Sequence, residues 1–573
     1  MLHNQFKYFF LIVIAFLVFF VTFGTTLAQS TQSFTNHPSR GTHIETLHFD
    51  NRQIKVDLSA LPQNAQIYQA ILVPNRKGNT VGGWQGRENS QIQIRPASGS
   101  DEHLKLMPPR FLTLDATNAV QEAVATSRQQ LILDVEAFPY LGSSGKALYT
   151  DQQTEEPVIR LDVTTDQPPA KKIAQVTDIK ARHKNGDTML TWTQADPVAN
   201  KNNITGSELQ ELQNKINNPQ EIRYRIYCSS SPITSDNIEQ AQLVGEVDPL
   251  AIWNDEYWAK EDKNDKEIPR FPVDQETLGN YDNGIFVYNV QGVGESYYAV
   301  SRAVDGAEDL SNLQQGKNSL QEPVQESPGY GMVLPWKSKD SDKYYYEKDV
   351  RLNYYVKWES PPNSNFTRPF NYAVAEKLSL GPEDWPGDGH PVDVQLHAWG
   401  GWIHKGHLWW HRAKENSLWV LTNQRPYDWW TGYNENLWTL KPLDQGRVRL
   451  YSQNRIQSFV DNFVSSNWQV DADRIMVSGN SMGGSGASLW GLKNQDYFSH
   501  IFSKVGVHIP AESPQFTGSF AKAYGGDPSQ ELKYEDTSRS IWEYMDNESW
   551  LRENIAEDTP HITFSNGRND SQI

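Results

Sequence analysis

The stretch Asp471–Gly484, DADRIMVSGNSMGG, decides the fold of the second half of this 573-residue chain. Its apolar run Ile475–Val477 predicts a buried strand, which leads directly into Gly479-Asn480-Ser481-Met482-Gly483 and then into small, helix-compatible residues. Two glycines allow a sharp turn from strand to helix that exposes the hydroxyl of Ser481 at the edge of a sheet. A bare Gly-x-Ser-x-Gly recurs by chance, but strand, turn and helix signals coincide here. The stretch therefore predicts that Ser481 is a nucleophile.

Outward from this stretch, residues 329–573 alternate between strand and helix patterns. Asp471-x-x-Arg-Ile followed by Gly-x-Ser-x-Gly-Gly resembles secreted esterases of the polyhydroxybutyrate depolymerase and feruloyl esterase group, and prolyl oligopeptidase-like peptidases share it. The resemblance implies an α/β-hydrolase domain over 329–573. A helix is predicted at 448–468. Strands with intervening helices imply a mostly parallel sheet, and the predicted strands are 352–358, 372–375, 392–396, 418–422, 474–478, 503–508 and 561–565.

Two backbone N–H groups are expected to form an oxyanion hole. One belongs to Met482, directly after the serine. For the other, the strand that ends at Leu396 continues through His397-Ala398-Trp399-Gly400-Gly401, much like the family's His-Gly-Gly loop with two residues inserted. Trp399 and Gly400 are the candidate donors, and an ordinary glycine turn is the alternative. We expect His397 to brace this loop rather than to act as the catalytic base.

The acid and the histidine of the catalytic triad are harder to place. The family order is serine, acid, histidine, and Asp570, after the last predicted strand, fits the acid. No histidine follows it before Ile573. The simplest expectation is a truncated chain that lacks the histidine, and a natural pseudoenzyme or a shifted triad are the alternatives. The shifted triad would use Glu512 or Asp527 as the acid and His508 or His561 as the base.

Aromatic side chains and histidines lie between the predicted strands of this domain. Trp429 and Trp430 are candidates for stacking on a sugar or an aromatic acyl group, and packing in the core or a lid is the alternative. His404, His407 and His411 have the i, i+3, i+7 spacing that zinc ligands on one helical face would have. Gly406 and the neighbouring tryptophans favour a loop instead. We therefore expect neither a metal nor a cofactor.

Two β-rich regions precede this domain. In residues 46–165, short alternating strands and one helical piece predict a β-sandwich, and Leu112–Val120 with Leu131–Val135 resembles DNRLRE-type jelly rolls of polysaccharide-degrading enzymes. That resemblance implies carbohydrate binding, and a purely structural sandwich is the alternative. Residues 171–320, with Trp192 on an early strand and a Tyr-rich late strand, resemble a fibronectin type III module. Polar insertions at 198–220 and 248–284 enlarge it, and we assign it no chemistry.

The N-terminus and the composition indicate the compartment. Lys7, an apolar run to Phe23, and small residues at Thr26 and Ala28 predict a signal peptide over 1–28, with an uncleaved anchor as the alternative. Cys228 is the only cysteine, so no disulfide can form within the chain. The net charge of −18 disfavours binding to nucleic acid. A secreted or periplasmic protein without further membrane contact is expected.

These observations predict a multidomain protein with two N-terminal β-sandwiches followed by an incomplete α/β-hydrolase domain. Its expected function is that of a secreted serine hydrolase, a serine carboxylic ester hydrolase that acts on polysaccharide-linked or polymeric esters through an acyl-enzyme on Ser481. A serine peptidase of the prolyl oligopeptidase type is one alternative. A carbohydrate-binding protein with a dead hydrolase domain is the other.

Overall fold

The computed structural model describes residues 41–567 apart from 51, 62–63, 75–91, 98–101, 108–110, 138–139, 142–145, 148–157, 167–171, 197–200, 258–266, 276, 342–349, 379–388, 404–416 and 557. The predicted signal peptide, residues 1–28, lies outside this part of the chain, as do Asp570 and the three histidines His404, His407 and His411. Within the described part, none of the helices combines the length and the apolar character needed to span a bilayer.

An eight-stranded sheet carries the turn from strand to helix at Gly479–Gly483, here called the elbow. Its strands in chain order are β1 (Val333–Ser341), β2 (Val350–Glu359), β3 (Arg368–Lys377), β4 (His390–Leu396), β5 (Leu418–Thr422), β6 (Val470–Asn480), β7 (His500–Lys504) and β8 (His561–Ser565). Their spatial order is β1-β2-β3-β5-β4-β6-β7-β8. The five strands from β5 to β8 are parallel, whereas β1, β2 and β3 pair antiparallel. The sheet is thus mixed, and the prediction of a mostly parallel sheet holds only for its C-terminal side.

In the sheet, β5 lies between β3 and β4, so that β4 is next to β6. This order determines where Ser481 lies. Every residue of β4 and of β5 is buried, as expected for parallel strands covered on both faces. Because the chain returns from β5 past β4 to β6, β4 and β6 are neighbours, with Leu396 opposite Gly479. The loop that leaves β4 and the turn that leaves β6 therefore emerge side by side at one edge of the sheet.

Helices pack against this sheet and enclose its main apolar core. The helix predicted at 448–468 is observed as Tyr451–Phe459, a π-helical turn Val460–Val464 and Ser465–Asn467. The helix that follows Ser481, here called the elbow helix, spans Met482–Gly491, and all ten of its residues are buried. The other helices of this region are Thr517–Tyr524, Ile541–Tyr544 and Asn547–Glu553.

The first β-rich region forms two sheets that share its first strand around one core. One helix, Thr117–Ala125, packs against this core through Val120 and Ala123. The strands are Gly41–Asp50, Gln53–Asp57, Ile67–Pro74, Gln93–Pro96, Lys105–Leu106, Leu114–Asp115, Gln130–Ala137 and Val158–Thr165, with a separate pair Tyr140–Leu141 and Lys146–Ala147. The boundaries 46–165 and a jelly-roll identity stay predictions.

The second β-rich region places a three-stranded sheet and a five-stranded sheet around a core that contains Trp192. The three-stranded sheet consists of Thr177–Lys184, Asp187–Thr193 and Asn283–Asn289. The five-stranded sheet consists of Ile222–Ser229, Gln242–Val247, Gly294–Val304, Ala307–Glu308 and Val324–Glu326. The insertions add the helix Gly206–Ile216 and two short strand pairs, Ile204–Thr205 with Glu267–Ile268 and Pro272–Asp274 with Thr277–Leu278. The assignment as a fibronectin type III module stays a prediction.

The first β-rich region is docked onto the domain that carries the elbow. Leu440, from the loop after β5, is 1% exposed and belongs to the apolar core of the first region. Its N–H donates to the carbonyl of Phe111 at 2.8 Å, and the Lys441 ammonium lies 3.6 Å from the centre of the Phe111 ring. Burying a leucine side chain contributes about 1.5–3 kcal/mol. The first region is therefore held against the domain by buried contacts.

Candidate active site

Ser481 lies at the junction of β6 and the elbow helix in a strained backbone conformation. Its φ of 54° and ψ of −119° place a residue with a side chain in a region that costs about 1–3 kcal/mol. The strain is held from both sides: its N–H donates to the Lys504 carbonyl at 2.8 Å, and its carbonyl accepts from the Ser485 N–H at 2.9 Å. Such strain persists only where the surrounding structure enforces it. The strained backbone of Ser481, between a strand and a helix, is the geometry expected for the predicted nucleophile turn.

The glycines of the motif are required by close backbone approach. A Cβ on Gly483 would lie 2.0 Å from the Leu396 carbonyl oxygen, and a Cβ on Gly479 would lie 2.2 Å from the Gly483 backbone. Both distances are shorter than any real Cβ contact, and the atoms met are main-chain atoms that cannot swing away. The elbow helix can therefore start directly against the end of β4 only because these positions lack side chains.

The predicted oxyanion donors lie on the two elements that this approach brings together. Met482 is the first residue of the elbow helix, so its N–H has no acceptor within the helix. Across from it, Ala398–Gly401 forms a turn closed by the Gly401 N–H and the Ala398 carbonyl at 2.8 Å, with Gly400 at φ 70°. A positive φ at the third residue marks a type II turn. The hydrogen bond that closes this turn uses neither the Trp399 nor the Gly400 N–H.

His397 braces this turn, as expected from the sequence. It is 2% exposed, and its Nε2 accepts from the Gln424 N–H at 3.2 Å. The ring proton therefore lies on Nδ1, which donates to the Ala398 carbonyl at 2.9 Å. With both ring nitrogens held by main-chain groups, His397 ties the start of the turn to the segment after β5 and is not placed to accept a proton from Ser481.

The prediction that Trp429 and Trp430 bind substrate is not supported, because both side chains are buried, at 2% and 0% exposure. Trp430 fills the space left by Gly486 of the elbow helix, where a Cβ would lie 2.5 Å from the Trp430 Cβ, and its indole N–H donates to the His397 carbonyl at 3.2 Å. Trp429 stacks on Phe520 at 4.4 Å. Both tryptophans take the packing role that was the alternative.

Asp428 holds these two tryptophans in place. Trp429 and Trp430 both have positive φ, 59° and 64°, a costly conformation for bulky residues. The fully buried carboxylate of Asp428 accepts from the N–H groups of Trp430 at 3.0 Å and Gly432 at 2.9 Å, and from the Gln424 amide at 2.6 Å. Burial raises the pKa of Asp428, and the Arg455 charge and the N–H groups of Trp430 and Gly432 counteract the rise. The segment Asp428–Gly432, which packs beside His397, is thus held by hydrogen bonds to a buried carboxylate.

On the turn Ala398–Gly401, the exposed aromatic side chain is that of Trp399. Its side chain is 44% exposed, stacks on Tyr427 at 5.2 Å with 22° between the ring planes, and packs against Trp429 at 5.9 Å. The sequence indicated a role for the N–H of Trp399 but not for its ring. The insertion of Ala398 and Trp399 could have indicated this exposed ring, because residues inserted at the tip of a loop place their side chains at the surface.

The histidines of the shifted triad lie far from Ser481. His508 Nδ1 lies 3.0 Å from the Ser488 hydroxyl, and Ser488 is seven residues along the elbow helix, about 10 Å at 1.5 Å per residue. Burial lowers the pKa of His508. His561 begins β8 opposite His500, four residues before the level of Asn480, about 13 Å along a strand. Neither histidine reaches the nucleophile.

In the described part of the chain, neither carboxylate of the shifted triad is hydrogen-bonded to a histidine. Asp527 is exposed, and its carboxylate caps the helical turn Pro528–Gln530 by accepting from the Ser529 N–H at 2.8 Å. Glu512 is exposed as well. Asp570 lies outside the described residues, five residues beyond the end of β8, and β8 ends at the same edge of the sheet as β6. Its role as the acid stays a prediction.

Metal binding was considered at the histidines around residue 407. Within the described part of the chain, no three His, Cys, Asp or Glu side chains are grouped as metal ligands would be. His404, His407 and His411 are not among those residues, and the expectation that they hold no metal stays a prediction.

Comparisons with known proteins give only distant likenesses. No protein-family model and no curated protein matches the sequence. Among solved structures, an S-formylglutathione hydrolase from Agrobacterium tumefaciens is 15% identical with a TM-score of 0.29, over 42% of this chain and 81% of that chain. A ferulic acid esterase is 14% identical with a TM-score of 0.24, over 39% and 92%. An acetyl xylan esterase from Paenibacillus sp. R4 is 14% identical with a TM-score of 0.24, over 42% and 83%. TM-scores this low support no inference about the chain, and the case for its function rests on the site itself.

Proposed function

We propose that this chain is a serine hydrolase of the α/β-hydrolase type that cleaves carboxylic esters through an acyl-enzyme on Ser481. The observation that carries the proposal is the strained backbone of Ser481 between β6 and the elbow helix, with the turn Ala398–Gly401 beside it. Strain of this kind is retained where it serves a function. Here it presents a hydroxyl at the positive end of a helix dipole, where a developing negative charge is stabilised.

The proposed reaction is a two-step acyl transfer. The Ser481 oxygen attacks the ester carbonyl as its proton passes to a base, and the oxyanion accepts hydrogen bonds from the Met482 N–H and from the turn N–H groups of Trp399 or Gly400. The tetrahedral intermediate collapses, the C–O bond to the alcohol breaks, and the alcohol leaves with the proton. Water then attacks the acyl-enzyme, and the acid and free Ser481 are released. Asp570 is our candidate for the group that orients the base.

Hydrolysis of a short p-nitrophenyl ester by residues 29–573 tests this proposal, with the Ser481→Ala variant beside it. Where a histidine serves as the base, we expect turnover that falls about 10⁴–10⁶-fold in the variant, because the nucleophile of a complete triad contributes effects of that size. A matched amide substrate distinguishes an esterase from a serine peptidase. Ser481-dependent turnover would show that the base lies within this chain. Absence of both turnover and fluorophosphonate labelling would contradict the proposal for this chain, and would support either the expected lack of the histidine or a non-catalytic, carbohydrate-binding role.

The substrate and the compartment are further parts of the proposal. We propose that the ester is polysaccharide-linked or polymeric and that the protein acts after secretion or in the periplasm. The signal-peptide pattern of residues 1–28 supports the location, and the sequence resemblance of residues 46–165 to modules of polysaccharide-degrading enzymes supports the sugar-linked substrate.

Replacing Trp399 by alanine is expected to lower kcat/KM about 5- to 10-fold for esters that carry a ring and much less for acetyl esters, because stacking contributes about 0.5–1.5 kcal/mol beyond area burial. Paired kinetics with p-nitrophenyl acetate and with a p-nitrophenyl ester of an aromatic acid, which share the leaving group and differ by a ring on the acyl side, would measure this difference. Tyr288→Ala is a suitable control, because that ring packs on Tyr298 in the second β-rich region. An equal loss on both esters would show that Trp399 supports the loop rather than the substrate.

A further inference from the structure

One segment of the second β-rich region is inserted into the domain that carries Ser481. Asn254–Tyr257, here called the docking segment, belongs to the 248–284 insertion, to which the sequence suggested no chemistry. Asn254 is fully buried, and its amide donates to the Asn371 side chain on β3 at 2.8 Å. Tyr257 is 4% exposed and joins the apolar core beneath β5 with Trp402 and Ile403. The two regions are thus joined by polar and apolar contacts alike.

Glu256 supplies the charge in this contact. Its carboxylate pairs with Arg425, directly after β5, and with Arg368, at the start of β3, at 3.5 Å. The side chain of Arg368 is 4% exposed and lies over the Trp438 ring at 4.7 Å. Burial lowers the pKa of Arg368, while the charge of Glu256 opposes the effect. Removal of that carboxylate charge would take away the ion-pair partner that the two guanidinium groups share.

The docking segment is connected to both ends of the loop His397–Ile403, here called the oxyanion loop, by the first two residues after β5, Asn423 and Gln424. The side-chain amide of Asn423 donates to the Glu256 carbonyl at 3.2 Å, while its oxygen accepts from the Ile403 N–H at 2.9 Å. The next residue, Gln424, donates its N–H to His397 at 3.2 Å. The loop thus begins at His397 and ends at Ile403, and each end is held by a residue beside Glu256 or its partner Arg425.

We propose that the second β-rich region is an internal positioning element of the active site. Within it, Glu256 is a positioning residue that acts on the oxyanion loop, His397–Ile403. Its effect passes through Arg425 to the neighbouring residues Asn423 and Gln424. The proposal rests on the proposed function for its catalytic meaning. It assigns a role in placing the Trp399 and Gly400 N–H groups to a segment more than one hundred residues away in sequence. Small misplacements of such groups cost about 10²-fold in rate.

Glu256→Gln in residues 29–573 tests the proposal, with amide hydrogen exchange of peptides that cover 396–403 as the readout. We expect exchange in this loop to be about tenfold faster than in wild type, because Arg425 loses its charged partner and the adjacent Asn423 and Gln424, which hold the two ends of the loop, are less firmly placed. Glu256→Asp keeps the charge but shortens the reach, so we expect a smaller change in the same direction, and this variant serves if Glu256→Gln does not fold. The fluorophosphonate labelling rate of Ser481 should fall about 10- to 100-fold.

Glu326→Gln is the matched control. Glu326 is also a buried carboxylate of the second region, but it accepts from Tyr298 at 2.7 Å and from Thr188, both within that region. We expect this variant to leave loop exchange and labelling unchanged. Equal exchange in wild type and both Glu256 variants would overturn the proposal, as would an equal rise in Glu326→Gln. Hydrogen exchange does not require activity, so failure of wild-type Ser481 to label would contradict the proposed function and leave the exchange result decisive for Glu256.

Discussion

Replacing Gly483 by alanine is expected to reduce labelling of Ser481 by a fluorophosphonate more than 100-fold, in line with the cost of about 10²-fold for a displacement of 1 Å at a reacting group. The new Cβ would lie 2.0 Å from the Leu396 oxygen and 2.7 Å from its carbon, so the elbow helix must move away from β4. Overpacking of a tight contact also costs about 1–3 kcal/mol of stability. Labelling kinetics and urea unfolding measure the two effects.

Gly518→Ala is the matched control for this substitution. Gly518 lies in the helix Thr517–Tyr524, and a Cβ there meets no atom within 4 Å. We expect this variant to label like wild type and to gain up to about 1 kcal/mol of stability, because alanine is the better helix former. Wild-type labelling and stability in Gly483→Ala would show that the elbow tolerates a side chain and that the contact with β4 does not set the position of Ser481.

Arg225→Met is expected to lower the free energy of unfolding by about 3–5 kcal/mol, the usual cost of removing one partner from a buried ion pair. Arg225, 4% exposed, joins three carboxylates from both β-rich regions. It contacts Asp162 of the first region at 2.9 Å, and Glu308 and Glu246 of the second at 2.7 and 2.8 Å. Without the guanidinium, these carboxylates repel one another in a buried site. Urea unfolding at neutral pH measures the loss.

The pH dependence of this loss follows from Glu246. Burial opposes its ionisation, but the guanidinium groups of Arg225, Arg160 and Arg223 outweigh burial and lower its pKa to about 2 from an ordinary value of 4.5. A lowered carboxyl pKa stabilises the fold above the unfolded pKa, and this stabilisation is lost as the pH falls through the folded value. The difference between wild type and Arg225→Met should therefore be largest above about pH 5 and should shrink as the pH falls towards 2.

Arg182→Met controls for the loss of an arginine as such. Arg182 pairs with Asp274 at the surface of the second region, with side-chain exposures of 35% and 59%. Exposed pairs contribute about 0–1 kcal/mol, so little change is expected. If Arg225→Met behaves like this control, the buried charges do not hold the two β-rich regions together.

Several elements of the α/β domain were predictable because their signals are local. The strands 418–422 and 561–565 have the predicted bounds, and the helix predicted from 448 starts at Tyr451. The strand predicted at 503–508 is instead His500–Lys504. It ends where Val505, at φ 47°, and Gly506, packed on Gly484, turn the chain along the elbow helix. That ending depends on a neighbouring helix, and no local pattern contains it.

A helix in the polar insertion 198–220 was missed although its signal was present. Thr205 and Glu208 form a capping box at the start of Gly206–Ile216, with the Glu208 N–H donating to the threonine hydroxyl at 3.2 Å. A threonine followed three residues later by a glutamate is a recognisable start of a helix. Strand β1, Val333–Ser341, was missed for a different reason, because its second half is polar and it forms the edge of the sheet.

The sequence by itself determined the turn from strand to helix at Ser481, because strand, glycine turn and helix follow one another within fourteen residues. Only the tertiary structure decided which tryptophan is exposed, since burial of Trp430 and exposure of Trp399 depend on where the elbow helix and the loop after β4 meet. It alone also decided that Glu256 faces Arg368, 112 residues further along the chain. Periodicity and turn chemistry act between near neighbours, whereas contacts across such separations arise from packing and leave no pattern in one sequence.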